Sequence, residues 1–222
     1  RTGFFAAVNA GDTTLVDAFI KAQIDPNVQD PTTGRTALIS AAAHGDLAVV
    51  KALVERKADV NVKDTNGYTA LFHAIEARHD EVSTFLVQQP SLDLNARGKN
   101  GVTALISYAW RGDSKVISSL LNRGPDVNLQ DADGDSALHG AAENGNVDIV
   151  LQLLAKGAQV DIKNKLGGTP LMWAAVYGND QVANELLKHH ANPTLKDNEG
   201  MTALDWAVKN KRMKVIEVLQ KH

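Results

Sequence analysis

Apolar residues along this chain recur in two alternating helical registers. One register is short and rich in small side chains, with Ala41-Ala42 behind Leu38, Ala141-Ala142 behind Leu138 and Ala174-Ala175 behind Leu171. The other is longer and built from branched aliphatics: Val49, Val50, Leu53 and Val54; Val116, Ile117, Leu120 and Leu121; Ile149, Val150, Leu153 and Leu154. Spacings of three and four residues mark amphipathic helices. The stretch from Asp133 to Asp161 contains one full period: a loop, a short Ala-rich helix, a Gly turn, a longer helix and a second Gly that stops it. Polar segments such as Asp64-Thr65-Asn66-Gly67 and Asp131-Ala132-Asp133-Gly134 separate the periods. Their Gly supplies the positive φ of a tight turn.

Two markers hold this period in register. The first core residue of each short helix is Phe4, Leu38, Leu71, Leu105, Leu138, Leu171 or Leu204. Seven residues later comes Gly11, Gly45, Arg78, Gly112, Gly145, Gly178 or Lys211. Seven units at a spacing of 33 or 34 residues define an internal repeat, divided as 1–30, 31–64, 65–98, 99–131, 132–164, 165–197 and 198–222. Such units bury a continuous core only by stacking on their neighbours, so a single all-α repeat domain is expected over residues 1–222.

Each short helix opens on a phrase such as Thr169-Pro170-Leu171-Met172, Ser136-Ala137-Leu138-His139 or Thr36-Ala37-Leu38. After the long helices come Ala58-Asp59-Val60-Asn61, Gly124-Pro125-Asp126-Val127-Asn128 and Gly157-Ala158-Gln159-Val160-Asp161. These phrases and their period resemble those of the ankyrin-repeat family over essentially the whole chain. The resemblance implies a curved solenoid of paired antiparallel helices with hairpin-like loops, and a protein-binding rather than catalytic role. It also implies that His139 is structural, bonding a neighbouring loop.

The third repeat departs most from the pattern. Arg78 replaces the turn Gly, Pro90 stands where the helix-stopping Gly belongs, and one extra residue precedes Asp93-Leu94-Asn95. Lys57 and His190 also hold helix-stop positions. A side chain in the left-handed region costs on the order of 1 kcal/mol, so a bent or looser third repeat is expected. At the ends, Phe4-Phe5 needs shielding, and Lys209, Lys211, Arg212 and Lys214 read as a solvated cap. Arg1 is not a methionine, which implies sequence upstream.

Composition narrows function mainly by exclusion. A formal net charge of −3 provides no general attraction to phosphate backbones or anionic membranes, and no basic stripe with interleaved aromatics suits nucleic acid. No apolar run is long enough to cross a bilayer. The count of 0 Cys removes disulfides, thiolate metal sites and cysteine nucleophiles. It leans slightly towards an exported bacterial protein, periplasmic rather than cytoplasmic. Asp131-Ala132-Asp133-Gly134-Asp135 resembles part of a calcium loop, but the position for the closing Glu is Ala142. His189 and His190 are adjacent on a helix end, not four apart as a metal pair requires. No nucleophile elbow, phosphate loop or zinc motif occurs, and no cofactor is expected.

The resemblance places a partner against the loop tips and the inner face of the short helices. Aromatic residues make up only 5%, yet Tyr68, Trp110 and Tyr177 fall on those positions. With Arg111 they form the expected central patch, since binding energy concentrates in Trp, Tyr and Arg. Trp173 is expected to flank it, alongside His44 and Glu143 on the helices and Arg35, Asn66, Asp133 and Asp135 at loop tips. The expected function is a monomeric protein-binding module acting as an inhibitor or immunity-type blocker of an enzyme. The alternative is an adaptor bridging two proteins, and a catalytic role is a distant third.

Overall fold

A computed structural model describes residues 2–222; Arg1 lies outside the described residues. Helices alternate short and long along the chain: α1 (Thr2–Asn9), α2 (Thr13–Lys21), α3 (Ala37–His44), α4 (Leu47–Glu55), α5 (Ala70–Glu76), α6 (Asp80–Val87) and α7 (Ala104–Arg111). They continue as α8 (Ser114–Asn122), α9 (Ala137–Asn144), α10 (Val147–Ala155), α11 (Pro170–Tyr177), α12 (Asp180–Lys188), α13 (Ala203–Lys209) and α14 (Met213–Leu219). No strand occurs among the described residues, only isolated bridges joining Gln29 to Thr36 and Gln130 to Ser136 across loop bases.

The chain divides into two compact units, Arg1–Lys99 and Asn100–His222. Within each, an odd-numbered helix packs on its own partner and on the next odd-numbered helix, and the even-numbered helices form a second layer. The core lies between these layers. Val49, Val50 and Leu53 fill it in the first unit; Ile117, Leu120, Ile149 and Leu153 fill it in the second, all 0% exposed. Phe4 is also fully buried, edge-on to Phe19 at 6.0 Å.

Helix starts follow from their capping residues. Thr36, Thr103 and Thr169 accept the amides of Ile39, Ile106 and Met172, while Asp12, Asp46, Asp113 and Asn146 cap α2, α4, α8 and α10. Helix ends mix Gly with strained residues. Lys57 and His190 adopt φ of 66°, Arg78 60° and Lys211 56°, so the left-handed turn is kept although the residue is costly there. At Lys57 the amides of Lys57 and Ala58 donate to the carbonyls of Val54 and Leu53, a Schellman closure.

In the third repeat both helices are one residue shorter than α3 and α4, and neither start has a side-chain cap. Pro90 does not take the left-handed turn. The Leu92 amide donates to the Gln89 carbonyl at 3.1 Å, placing Pro90 at the second position of a β-turn, where its fixed φ is an advantage.

Candidate functional site

Loop tips are built by one side chain each. Asp64 Oδ1 accepts the amides of Asn66 and Tyr68; Asp131 Oδ1 those of Asp133 and Asp135; Asn164 Oδ1 those of Leu166 and Gly168; Asp197 Oδ1 those of Glu199 and Met201. Backbone bonds then stitch successive tips within each unit: Thr65 to Thr33, and Lys165 to Asp133 followed by Asn198 to Leu166. Rigid tips therefore sit beside the odd-numbered helices. Asp131 spends its carboxylate on this scaffolding.

In the second unit, α11, α13 and their loops enclose a cavity of about 320 Å³. Leu166, Met172, Trp173, Val176, Tyr177 and Trp206 supply its apolar lining, and Asp197 and Glu199 its acidic edge. Trp173 and Tyr177, one helical turn apart, stack with planes 7° apart and centroids 5.7 Å apart. His139 meets Trp173 edge-on at 6.4 Å. Trp206 donates its indole N–H to Asp197 Oδ2 at 2.7 Å, and Lys209 Nζ lies 4.3 Å from the Trp206 ring. Large apolar surface stays open, with Leu166 72% and Tyr177 43% exposed.

Acidic groups back this wall. Glu143 lies near Tyr177; burial first, then the Glu143 carboxylate, push its phenol up. Asn164 Nδ2, from a residue lining the cavity, donates to Asp135 Oδ1 at 2.9 Å. Burial, reinforced by the charges of Asp131, Asp133 and Glu143 and opposed by the Asn164 bond, pushes Asp135 up to about 6. Asp197 stays low: burial would raise it, but the amide of Met201, the Trp206 indole and the Glu199 amide outweigh that.

His139 has the structural role that the resemblance implies. The Ser136 amide donates to its Nδ1 at 3.1 Å, so Nε2 carries the proton and donates to the Gly168 carbonyl at 3.1 Å. Burial holds its pKa down at about 4. His189 turns its Nδ1 to the Glu185 carbonyl at the end of α12.

The residues singled out from sequence separate into two sets. Trp173, Tyr177, Glu143 and Asp135 converge at the cavity, with Asp133 exposed on the adjoining tip. Asp135 is itself only 9% exposed, so it supports the site instead of being presented at a tip. Trp110 and Arg111 lie on α7, away from the cavity lining. The Trp110 indole packs against Gly140, where no side chain would fit, and Arg111 lies over the Tyr108 ring at 5.1 Å. In the first unit, Tyr68 stands edge-on to Phe72 at 6.0 Å with Glu76 near its phenol, while Arg35 approaches the buried Asp64 at 3.8 Å. Asn66 and His44 are exposed there. The repeat register puts Leu166 and Glu199 at loop tips and Val176 on the inner helix face without singling them out, while Met172 and Asp197 were missed as site residues. Leu166 carries a signal: an aliphatic side chain at the tip where other repeats place Thr33, Asn66, Asn100, Asp133 and Glu199.

No helix among the described residues is long and apolar enough to cross a membrane. A family model described as ankyrin repeats in three copies matches residues 4–98, 85–164 and 152–222. No curated protein sequence matches. Among solved structures, the ankyrin repeat domain of Bcl-3, described as a unique member of the IkappaB protein family, is 28% identical. It aligns over 99% of this chain and 98% of its own, with a TM-score of 0.82.

Proposed function

This chain belongs to the ankyrin-repeat family, whose repeats are protein–protein interaction modules, and from that premise we propose that it is a non-catalytic platform binding one protein partner. The binding face is the one formed by odd-numbered helices and loop tips, and the seven repeats act as one binding domain. The observation that carries this reading is the open apolar cluster of Leu166, Trp173 and Tyr177 beside a ready-formed cavity. Soluble surfaces seldom leave such a cluster uncovered without a use for it. Its loops are held by their own side chains and by inter-tip bonds, so little ordering cost attends association. A stiff, preformed surface suits a tight one-to-one complex, and we read the role as masking the working surface of an enzyme.

Affinity capture with the 222-residue chain tests this, run beside a Leu166→Ala/Tyr177→Ala double variant whose folding is verified by circular dichroism. The expected result is one stoichiometric partner, inhibited on binding and lost or weakened at least about tenfold with the variant. A partner held equally by both proteins would overturn the assigned face. Simultaneous binding of two proteins, with activity intact, would overturn masking in favour of an adaptor.

A further inference from the structure

We propose that the cavity between α11 and α13 receives a bulky apolar side chain from an extended partner segment that also carries a Lys or Arg about three residues away. This deepens the interaction reading above and rests on it. The cavity walls are the aromatic and aliphatic groups of Met172, Trp173, Val176, Tyr177 and Trp206, so the group that fills it is apolar. Its volume of about 320 Å³ accommodates a Trp, Phe or Leu side chain with adjoining backbone.

The charge around it selects the neighbour. Asp197 and Glu199 edge the cavity, and no Lys or Arg lines it. Glu143 lies near the Tyr177 phenol, and Asp135 accepts a bond from Asn164 behind the lining. Asp133 is exposed on the tip whose carbonyl receives the Lys165 amide. Of the nearby cations, Lys209 lies over the outer Trp206 ring and Arg212 donates to the Val176 carbonyl at 2.9 Å, while Lys165 is exposed beside the Asp133 tip. Asp133, Glu143, Asp197 and Glu199 outnumber that exposed cation and give the cavity rim a field that favours a basic group and repels an acidic one. Helices in adjacent repeats pack about 8–10 Å apart. An extended chain advances about 3.3 Å per residue, which sets the spacing of about three residues.

The test uses the full chain and a displayed library of random twelve-residue peptides. Enriched sequences should pair Trp, Phe or Leu with Lys or Arg two to four positions away. A synthetic peptide of the enriched consensus should lose at least about tenfold in affinity on Trp173→Ala, and retain most of it on Trp173→Phe. Glu143→Gln with Asp133→Asn should weaken it by about three- to tenfold and flatten its salt dependence. No enrichment, or enrichment of acidic peptides, overturns the proposal. Peptides lost with Trp173→Ala but indifferent to salt and to both charge variants overturn the basic neighbour while leaving the binding face intact. Peptides insensitive to both Trp173→Ala and Tyr177→Ala overturn the face itself.

Discussion

Two glycines with nearly the same backbone conformation should respond very differently to a single added methyl group. Gly157 stops α10 at φ +88°, and Gly145 turns the chain between α9 and α10 at φ +77°. A Cβ on Gly157 meets nothing within 4 Å, so alanine there bears only the left-handed strain. That strain is about 1–2 kcal/mol, less about 0.4–1 kcal/mol regained because alanine stiffens the unfolded chain. A net loss of about 0.5–1 kcal/mol follows for Gly157→Ala. At Gly145 the new Cβ lies 2.7 Å from Asn179 Oδ1 and 2.9 Å from its Cγ. Asn179 must move, and its Nδ2 gives up bonds of 2.7 Å to the Ala142 carbonyl and 2.8 Å to the Glu143 carbonyl. Each such bond contributes about 1 kcal/mol, so Gly145→Ala should lose about 2–3 kcal/mol in total. Urea unfolding followed by circular dichroism, with the slope checked for constancy, measures both losses. In an Asn179→Ala background the Gly145→Ala loss should shrink to that of Gly157→Ala. Equal losses for the two glycines in the wild-type background would refute this reasoning. The converse change, Lys57→Gly at φ 66°, should gain up to about 1 kcal/mol.

Asp135, pushed up to about 6 from 3.8, holds an extra proton in the folded chain across that window, so its contribution to stability falls as pH rises through it. His139, held down at about 4 from 6.5, does the opposite: the unfolded chain holds the extra proton and stability is lost on acidification. Asp135→Asn should therefore be more stable than the wild type at pH 7 by about 1–3 kcal/mol, with the gain vanishing by pH 4; urea unfolding at three pH values checks it, and a variant no more stable at pH 7 refutes it. Gly98 stands where Asp30, Asp64, Asp131, Asn164 and Asp197 organise the other tips, and there the chain forms a 3-10 turn over Lys99–Gly101 with Asn100 at φ 56°. Gly98→Asp, whose Cβ meets the Phe72 ring at 3.2 Å and needs it to give way slightly, should restore the side-chain bonds to the tip and slow amide exchange at Asn100 and Val102 by about tenfold; unchanged exchange would refute it.

Much of the architecture is written in local signals. The two apolar registers, the Gly at φ near +75° and the Thr and Asp caps each act over a few residues, so they can be read without knowing what lies opposite. The strained helix stops at Lys57, Arg78 and His190 were legible for the same reason, because the turn is imposed by the repeat whatever residue occupies it. Other features depend on partners distant in sequence. Tyr108 is fully buried where other repeats place Ala, and the Trp110 ring settles against Gly140 thirty residues on, so an apparently outward aromatic serves packing. The cavity needs Leu166 and Trp206, forty residues apart, to meet across two repeats. Gly98 is a signal by omission, because the loss of a carboxylate there has meaning only beside the tips that Asp64 and Asp131 organise in three dimensions.

The side chains that open the long helices also reach backwards. Within the second unit, Asn146 donates to the Gly112 carbonyl, Asn179 to those of Ala142 and Glu143, and Arg212 to that of Val176. In the first, His79 reaches the Ala43 carbonyl. Every one of these bonds is supplied by residues translated later than the helix they complete. During synthesis a short helix thus stays open at its end until about one further repeat has left the ribosome, and it is then sealed by that newcomer.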